Sequence, residues 1–377
     1  MTLTNEVVGL DIGKHSVKAV WVSLNGSSPT VKRVEMLRLT SSSSDNKGLI
    51  SQWLEKHGVT KRECVLGLSG KQCMFQPFRL AANDPRTPEQ AAAMEVLNLS
   101  DLASEAMRHG FSSFKLNQDE RRLLLCVVRP DIVNASLTTA QGLNLTLSDL
   151  VPTPVGLLKI TEQKAEKDKG LCVCVNIGLS TTEVTVGKKG QPIFARTFGA
   201  AGQLFTETVA DTTKVPMARA ENAKINEGSL KDGPEKLRAA LCSAADTWIS
   251  EFRACMTVYE NMFSEENTKP EQLILSGGGS LLKGLSEYLS EKLNMRVSLV
   301  TQPGEEKKIE NFAAFAPAAG LAVAGLEKSH GHISLLPEEI KDFVLFRHNK
   351  PFWIFSAVTA LLILGIIFAA MHSRQRV

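Results

Sequence analysis

Three glycine-bearing strings, set far apart, constrain this chain more than anything else in it. They are Val8-Gly9-Leu10-Asp11-Ile12-Gly13, Val175-Asn176-Ile177-Gly178-Leu179-Ser180-Thr181-Thr182 and Leu275-Ser276-Gly277-Gly278-Gly279-Ser280. Each ends or follows an apolar, β-branched run that reads as a buried strand. Each then breaks at glycine, where the backbone turns sharply and its N–H groups can come close to a phosphate or a sugar. One such string alone reads as a strand-ending turn. Three, in this order, point at one nucleotide.

In the first string, a turn after Asp11 would aim the backbone N–H groups of Gly13, Lys14, His15 and Ser16 at terminal phosphates. Asp11 would hold Mg²⁺ through water, and it is the only catalytic candidate in the three strings. Lys14 or Lys18 would offset phosphate charge. In the second string, Gly178, Ser180, Thr181 and Thr182 would close on the same phosphates from the opposite side. In the third, Gly277, Gly278, Gly279 and Ser280 would carry the backbone along the nucleoside.

The 377 residues suffice for two domains and extras. A formal charge of +3 gives no footprint for nucleic acid. The seven cysteines lie largely in apolar runs and read as buried thiols of a reducing compartment. Cys172 and Cys174 share one face of a strand, with too few neighbouring ligands for a metal. No signal peptide is legible at the N-terminus. Near the C-terminus, Phe352 to Met371 is twenty residues without a charge, about 30 Å as a helix. Basic residues flank it on both sides and Trp353 suits an interfacial anchor. The expectation is a single-pass inner-membrane helix over 351–371 with the bulk of the chain cytoplasmic.

Residues 5–24 predict a strand hairpin, 49–57 a helix and 64–68 a strand. Thr87-Pro88-Glu89 is a helix start, with Thr87 as cap and Pro88 at the first position. A strand over 121–128, a helix over 130–142 and an extended piece over 145–150 follow. The second half opens with strands over 171–177, 182–186 and 193–198. A long helix over 234–263 carries Leu237, Leu241, Ala245, Trp248 and Phe252 as a core-facing stripe. A strand over 272–275 leads to the triple glycine, then helices over 281–293 and 313–326. Each half therefore begins with a strand–turn–strand and ends in helices.

The three strings and this duplication resemble the actin-like ATPase superfamily, which implies an α/β fold of two ribonuclease-H-like domains with a small inserted subdomain. The domains implied are 5–168 with an insertion at 81–148, and 169–326 with a subdomain at 212–265. By the same resemblance, Glu221 and Lys224 occupy the place that contacts ribose and base, and ATP with Mg²⁺ is the expected ligand. The superfamily usually has an aspartate where Asn176 stands. Asparagine orients water but supplies no carboxylate base, so weak or absent ATPase activity is expected, and Asn176→Asp should raise turnover.

Gly9 to Gly13 followed by Ser16-Val17-Lys18-Ala19-Val20, the region Phe75 to Ser113, Trp248 to Arg253 and Ala318 to Ala322 are similar to the type IV pilus assembly protein PilM family. His332-Ile333-Ser334-Leu335-Leu336-Pro337 looks like the peptide that begins PilN, the membrane partner of that family. Ile333, Leu335, Leu336 and Pro337 are therefore expected to dock in a groove of the chain's own body, with 327–350 as peptide and linker. The function implied is a membrane-tethered, ATP-binding adaptor of a type IV pilus or type II secretion assembly platform. Its expected partners are PilN- and PilO-like inner-membrane proteins, an assembly ATPase and further copies of itself. Two alternatives share the fold: a sugar- or acetate-kinase-like phosphotransferase, and an FtsA-like filament former. The first would need an aspartate base in Pro152 to Leu158, which has no carboxylate.

Overall fold

The computed structural model describes residues 6–26, 28–39, 46–81, 83–99, 107–115, 120–161, 171–188, 190–263, 269–304, 308–326, 331–344, 359 and 362–365. The chain divides into two compact units, Met1–Leu335 and Leu336–Val377, and each is described by itself.

In the first unit, β1 (Glu6–Ile12), β2 (Ser16–Asn25) and β3 (Ser28–Arg38) form an antiparallel meander. Their apolar runs bury Val8, Leu10, Val20 and Val22 completely. Helix α1 (Asn46–Lys56) leads to β4 (Glu63–Leu68), which lies parallel to β1. The chain then leaves this sheet. β5 (Met74–Ala81), α2 (Pro88–Leu99), β6 (Arg108–Lys115) and β7 (Glu120–Val128) build a separate sheet of order β5-β7-β6. Thr87 caps α2: its Oγ1 accepts from Gln90 N at 3.3 Å, while Gln90 Oε1 accepts from Thr87 N at 3.0 Å. Helix α3 (Pro130–Gly142) returns to β8 (Thr146–Pro152), parallel to β4, and completes the order β3-β2-β1-β4-β8.

After α4 (Thr153–Thr161) the plan repeats. β9 (Cys172–Ile177), β10 (Thr182–Lys188) and β11 (Gln191–Phe198) form the second meander. Helices α5 (Gly202–Thr213), α6 (Met217–Asn226) and α7 (Glu235–Met262) follow. β12 (Gln272–Ser276), α8 (Leu285–Leu293), β13 (Arg296–Leu299) and α9 (Ala316–Leu326) close the repeat. The order β11-β10-β9-β12-β13 matches the first sheet strand for strand, including which neighbours are parallel. The α7 stripe Leu237, Leu241, Ala245, Trp248 and Phe252 is buried, as its spacing predicts.

The two repeats interlock through their last helices. Helix α4 packs on β9, β10 and β11, and α9 packs on β1, β2 and β4. Every α4 residue is buried, as are Ala316 to Ala324 of α9. Contact is backbone to backbone: a Cβ on Gly320 would stand 2.3 Å from Gly156 O, and one on Gly9 1.8 Å from Ala318 O. Pro152 ends β8 and Thr153 to Leu158 belong to α4; all of them are buried.

Three elements differ from expectation. The inserted sheet runs from Met74 to Val128 rather than 81–148, because β8 belongs to the first sheet. The helix expected at 281–293 begins at Leu285: residues Gly278–Leu281 form a 3₁₀ turn, and Gly284 at φ +78° breaks the path. That at 313–326 starts as a 3₁₀ turn over Phe312–Ala314.

In the second unit, residues 338–344 are helical after Pro337, whose carbonyl accepts from Ile340 N and Lys341 N at 3.0 Å each. Leu336 is buried. Among the described residues no helix is long and apolar enough to cross a membrane. The span expected at 351–371 lies outside the described residues save Thr359 and 362–365. Those five are helical, with Leu362, Ile363 and Leu364 exposed.

Candidate functional site

The duplication puts one turn at the same place in each repeat. Between β1 and β2, Gly13 N donates to Ser16 O at 2.9 Å; between β9 and β10, Gly178 N donates to Thr181 O at 3.0 Å. Lys14 and His15 project from the first turn into solvent, and Leu179 and Ser180 from the second. The third string joins the second turn: Gly277 has φ +85°, and a Cβ there would lie 2.4 Å from both Asn176 Oδ1 and Ile177 O. No L side chain fits that backbone or that space. A Cβ on Gly279 would meet Ile177 Cγ2 at 2.5 Å.

The residues flanking each turn are matched across strands. Asp11 pairs in register with Lys18, and Asn176 with Glu183. Lys18 Nζ is 4.0 Å from Asp11 Oδ2. In the second repeat the carboxylate of the cross-strand pair stands on β10, at Glu183, opposite Asn176.

Glu183 is only 3% exposed. Its Oε1 accepts from Gly70 N at 2.7 Å and from Ser69 Oγ at 3.3 Å, just beyond β4. Its Oε2 accepts from Asn176 Nδ2 at 3.0 Å. One side chain of the second repeat is therefore held by the backbone of the first. Burial raises the Glu183 carboxyl above the ordinary 4.5; the bonds from Asn176, Gly70 and Ser69 oppose the shift and the charge of Asp11 adds to it. Burial likewise raises Asp11, against the attraction of Lys18.

Glu183 was missed in the sequence. Its signal is a charge in the otherwise apolar run Val184-Thr185-Val186, opposite Asn176. The other expected residues are placed as follows. Thr182 is fully buried; its Oγ1 donates to Ala200 O at 2.6 Å and accepts from Trp248 Nε1 at 3.1 Å, so it braces the turn. Ser280 is buried too, its Oγ donating to Gly277 O at 2.7 Å. Glu221 and Lys224 bond one another at 2.7 Å, and Thr206 Oγ1 donates to Glu221. Lys224 Nζ also donates to Gly202 O at 3.1 Å. Gly202 N in turn donates to Gly178 O at 2.9 Å, so this pair buttresses the second turn from behind. Among the described residues no cluster of three or more His, Cys, Asp or Glu could hold a metal. All seven cysteines are free thiols.

A second locus lies where the end of the first unit meets β8. Ile333 and Leu335 are buried at 0% and 2% exposure. Leu335 N donates to Leu150 O at 2.9 Å. The buried Asp149 carboxylate takes His332 Nε2 at 2.7 Å and Ser334 Oγ at 2.6 Å. A Cβ on Gly110 of β6 would stand 2.6 Å from Ser334 O. Residues 332–335 therefore lie against the end strands of two sheets, β8 and β6.

A duplicated α/β fold with a mirrored pair of glycine turns defines an actin-like protein. The chain belongs to the family of the type IV pilus assembly protein PilM, whose family model matches residues 9–318. A solved structure entitled PilM-PilN type IV pilus biogenesis complex is similar over 85% of this chain and 98% of that one, with 22% identity and a TM-score of 0.69. EutJ, an ethanolamine utilization protein from Carboxydothermus hydrogenoformans, is 15% identical over 84% of this chain and 88% of its own, at TM-score 0.48. MreB5 of Spiroplasma citri bound to AMPPNP is 11% identical over 84% of this chain and 95% of its own, at TM-score 0.46. No curated protein sequence matches the chain.

Proposed function

We propose that this chain binds ATP between its two glycine turns and serves as a membrane-tethered cytoplasmic adaptor in the assembly platform of a type IV pilus or a type II secretion system. The observation that carries the nucleotide half is Glu183: a buried carboxylate beside the second glycine turn, held by Gly70 N of the other repeat.

The residues present fit ATP. The N–H groups of Lys14 to Ser16 and the exposed Ser180 and half-buried Thr181 would face its phosphates, and Lys14 and Lys18 would neutralise them. Asp11 would hold Mg²⁺ through water, an ion that keeps several waters and needs few protein ligands. The Gly277–Gly279 backbone would pass along the nucleoside. Turnover should be slow. Asn176 can orient water but supplies no carboxylate base, and Glu183 is buried and already held by Gly70 and Asn176. Titration calorimetry and phosphate release on the full chain test this: ATP binding with negligible hydrolysis is expected, and no binding at all would overturn it.

The adaptor half rests on family membership, on the docked 332–335 segment and on the uncharged stretch at 352–371. Leu362, Ile363 and Leu364 are exposed in succession, an apolar surface suited to lipid. The docked segment fits a peptide of the kind that begins PilN, held here in cis. The structure entitled PilM-PilN complex supports a PilN-like membrane partner for this chain too. Membrane flotation of the expressed full chain, lost on truncation after Lys350, is the expected outcome.

A further inference from the structure

A cavity of about 390 Å³ in the first unit extends from the second glycine turn to residues the reading above does not use. One wall is β5, the end strand of the inserted sheet; the other is β11, the end strand of the second repeat's sheet. Its volume lies in the range of small-molecule pockets. Phe75 and Phe198 give it apolar walls, and Met262 of α7 closes one side. Lys71 and Arg196 stand at it, both exposed and neither in a salt bridge among the described residues. Thr197, also lining it, has a buried Oγ1 without a hydrogen-bond partner. A buried hydroxyl left unbonded costs about 1–3 kcal/mol, so something polar is expected to reach it. Ser180 and Thr181 of the second glycine turn line it as well, so it adjoins the ATP site proposed above, while no residue of the first turn does.

We propose that this cavity binds a small organic anion: a carboxylate or phosphate head set against Arg196, Lys71 and the Thr197 hydroxyl, with a flat apolar body between Phe75 and Phe198. Two cations without carboxylate partners select an oxyanion. The aromatic walls select a body that can stack.

Titration of the full chain with phenyl phosphate and with benzoate tests this, benzyl alcohol serving as the neutral analogue. At least one anion should bind one per chain, and which one does tells a phosphate from a carboxylate ligand. Arg196→Gln should weaken it about ten-fold, the loss of one charge-assisted bond. Thr197→Val should weaken it several-fold with the melting temperature kept. Lys18→Gln, in the other site, should leave it unchanged. Binding of neither anion, equal binding of benzyl alcohol, or a loss that follows Lys18→Gln instead of Arg196→Gln would overturn the proposal.

Discussion

At the scale of single residues, the chemistry turns on the cross-strand pairs Asp11–Lys18 and Asn176–Glu183. Glu183 should make stability depend on pH in a set direction. Its folded value lies above the ordinary 4.5, so the folded chain holds that proton more tightly than the unfolded one. The stability so gained is complete below 4.5 and is lost as pH rises through the raised value. Glu183→Gln removes the charge, so its melting temperature relative to the native chain should climb from pH 4.5 to pH 7. A difference flat across that window would contradict the assignment. Asn176→Asp looks, on the sequence alone, like a repair. The geometry says otherwise: the new carboxylate would face Glu183 Oε2 from 3.0 Å. Like charges so close cannot both ionise freely. Asn176→Asp should therefore destabilise by about 1–3 kcal/mol at pH 7, less at pH 5, and leave turnover unraised. The double change with Glu183→Gln should relieve the loss in denaturant melts. Gly277→Ala meets both a left-handed φ and a 2.4 Å collision; a cost of about 3 kcal/mol is expected.

At the scale of elements, much of the fold was legible because its signals are local. The Thr87 cap, the α7 stripe and the antiparallel hairpins follow from residue type at fixed spacing. What escaped was set by distant partners. β5 and β6 owe their sheet to β7, and neither Met74–Ala81 nor Arg108–Lys115 shows clean alternation of its own. The sequence reading assigns no element to Thr153–Thr161, yet helix α4 is buried whole between sheets that the sequence separates. At the site, Asp11, Gly13, Gly178 and Gly277 were legible as turn chemistry. Glu183 was not, because its meaning depends on Gly70, more than a hundred positions away. Thr182 reads as a phosphate donor and Ser280 as part of the nucleoside turn, and only the packing of Trp248 and the Gly277 turn shows their hydroxyls engaged. The α4–α9 contact makes its own prediction. Gly320→Val forces a side chain into the Gly156 backbone, so both repeats should lose cooperativity together. A loss of more than about 3 kcal/mol is expected by chemical denaturation.

At the scale of the whole chain, the two loci suggest a division of labour in which one holds nucleotide and the other a peptide. Burying Ile333 and Leu335 is worth about 1.5–3 kcal/mol each, and the covalent tether adds an effective concentration in the millimolar range. A free peptide of sequence His-Ile-Ser-Leu-Leu-Pro should therefore compete poorly with the native chain. It should bind once Leu335→Asp and Leu336→Asp evict the resident segment; fluorescence anisotropy of the labelled peptide reads this. Peptide binding unchanged by those substitutions would mean that the groove holds no such segment. The nucleotide locus carries the larger claim, that two mirrored turns close on one ligand. Titration calorimetry of ATP into the full chain and into two variants, Ser16→Asp and Thr181→Asp, tests it most directly. Each places a negative charge in one turn only, and each should weaken ATP by about a hundred-fold or more. Full affinity in either variant, with loss in the other, would show that the phosphates touch one turn alone.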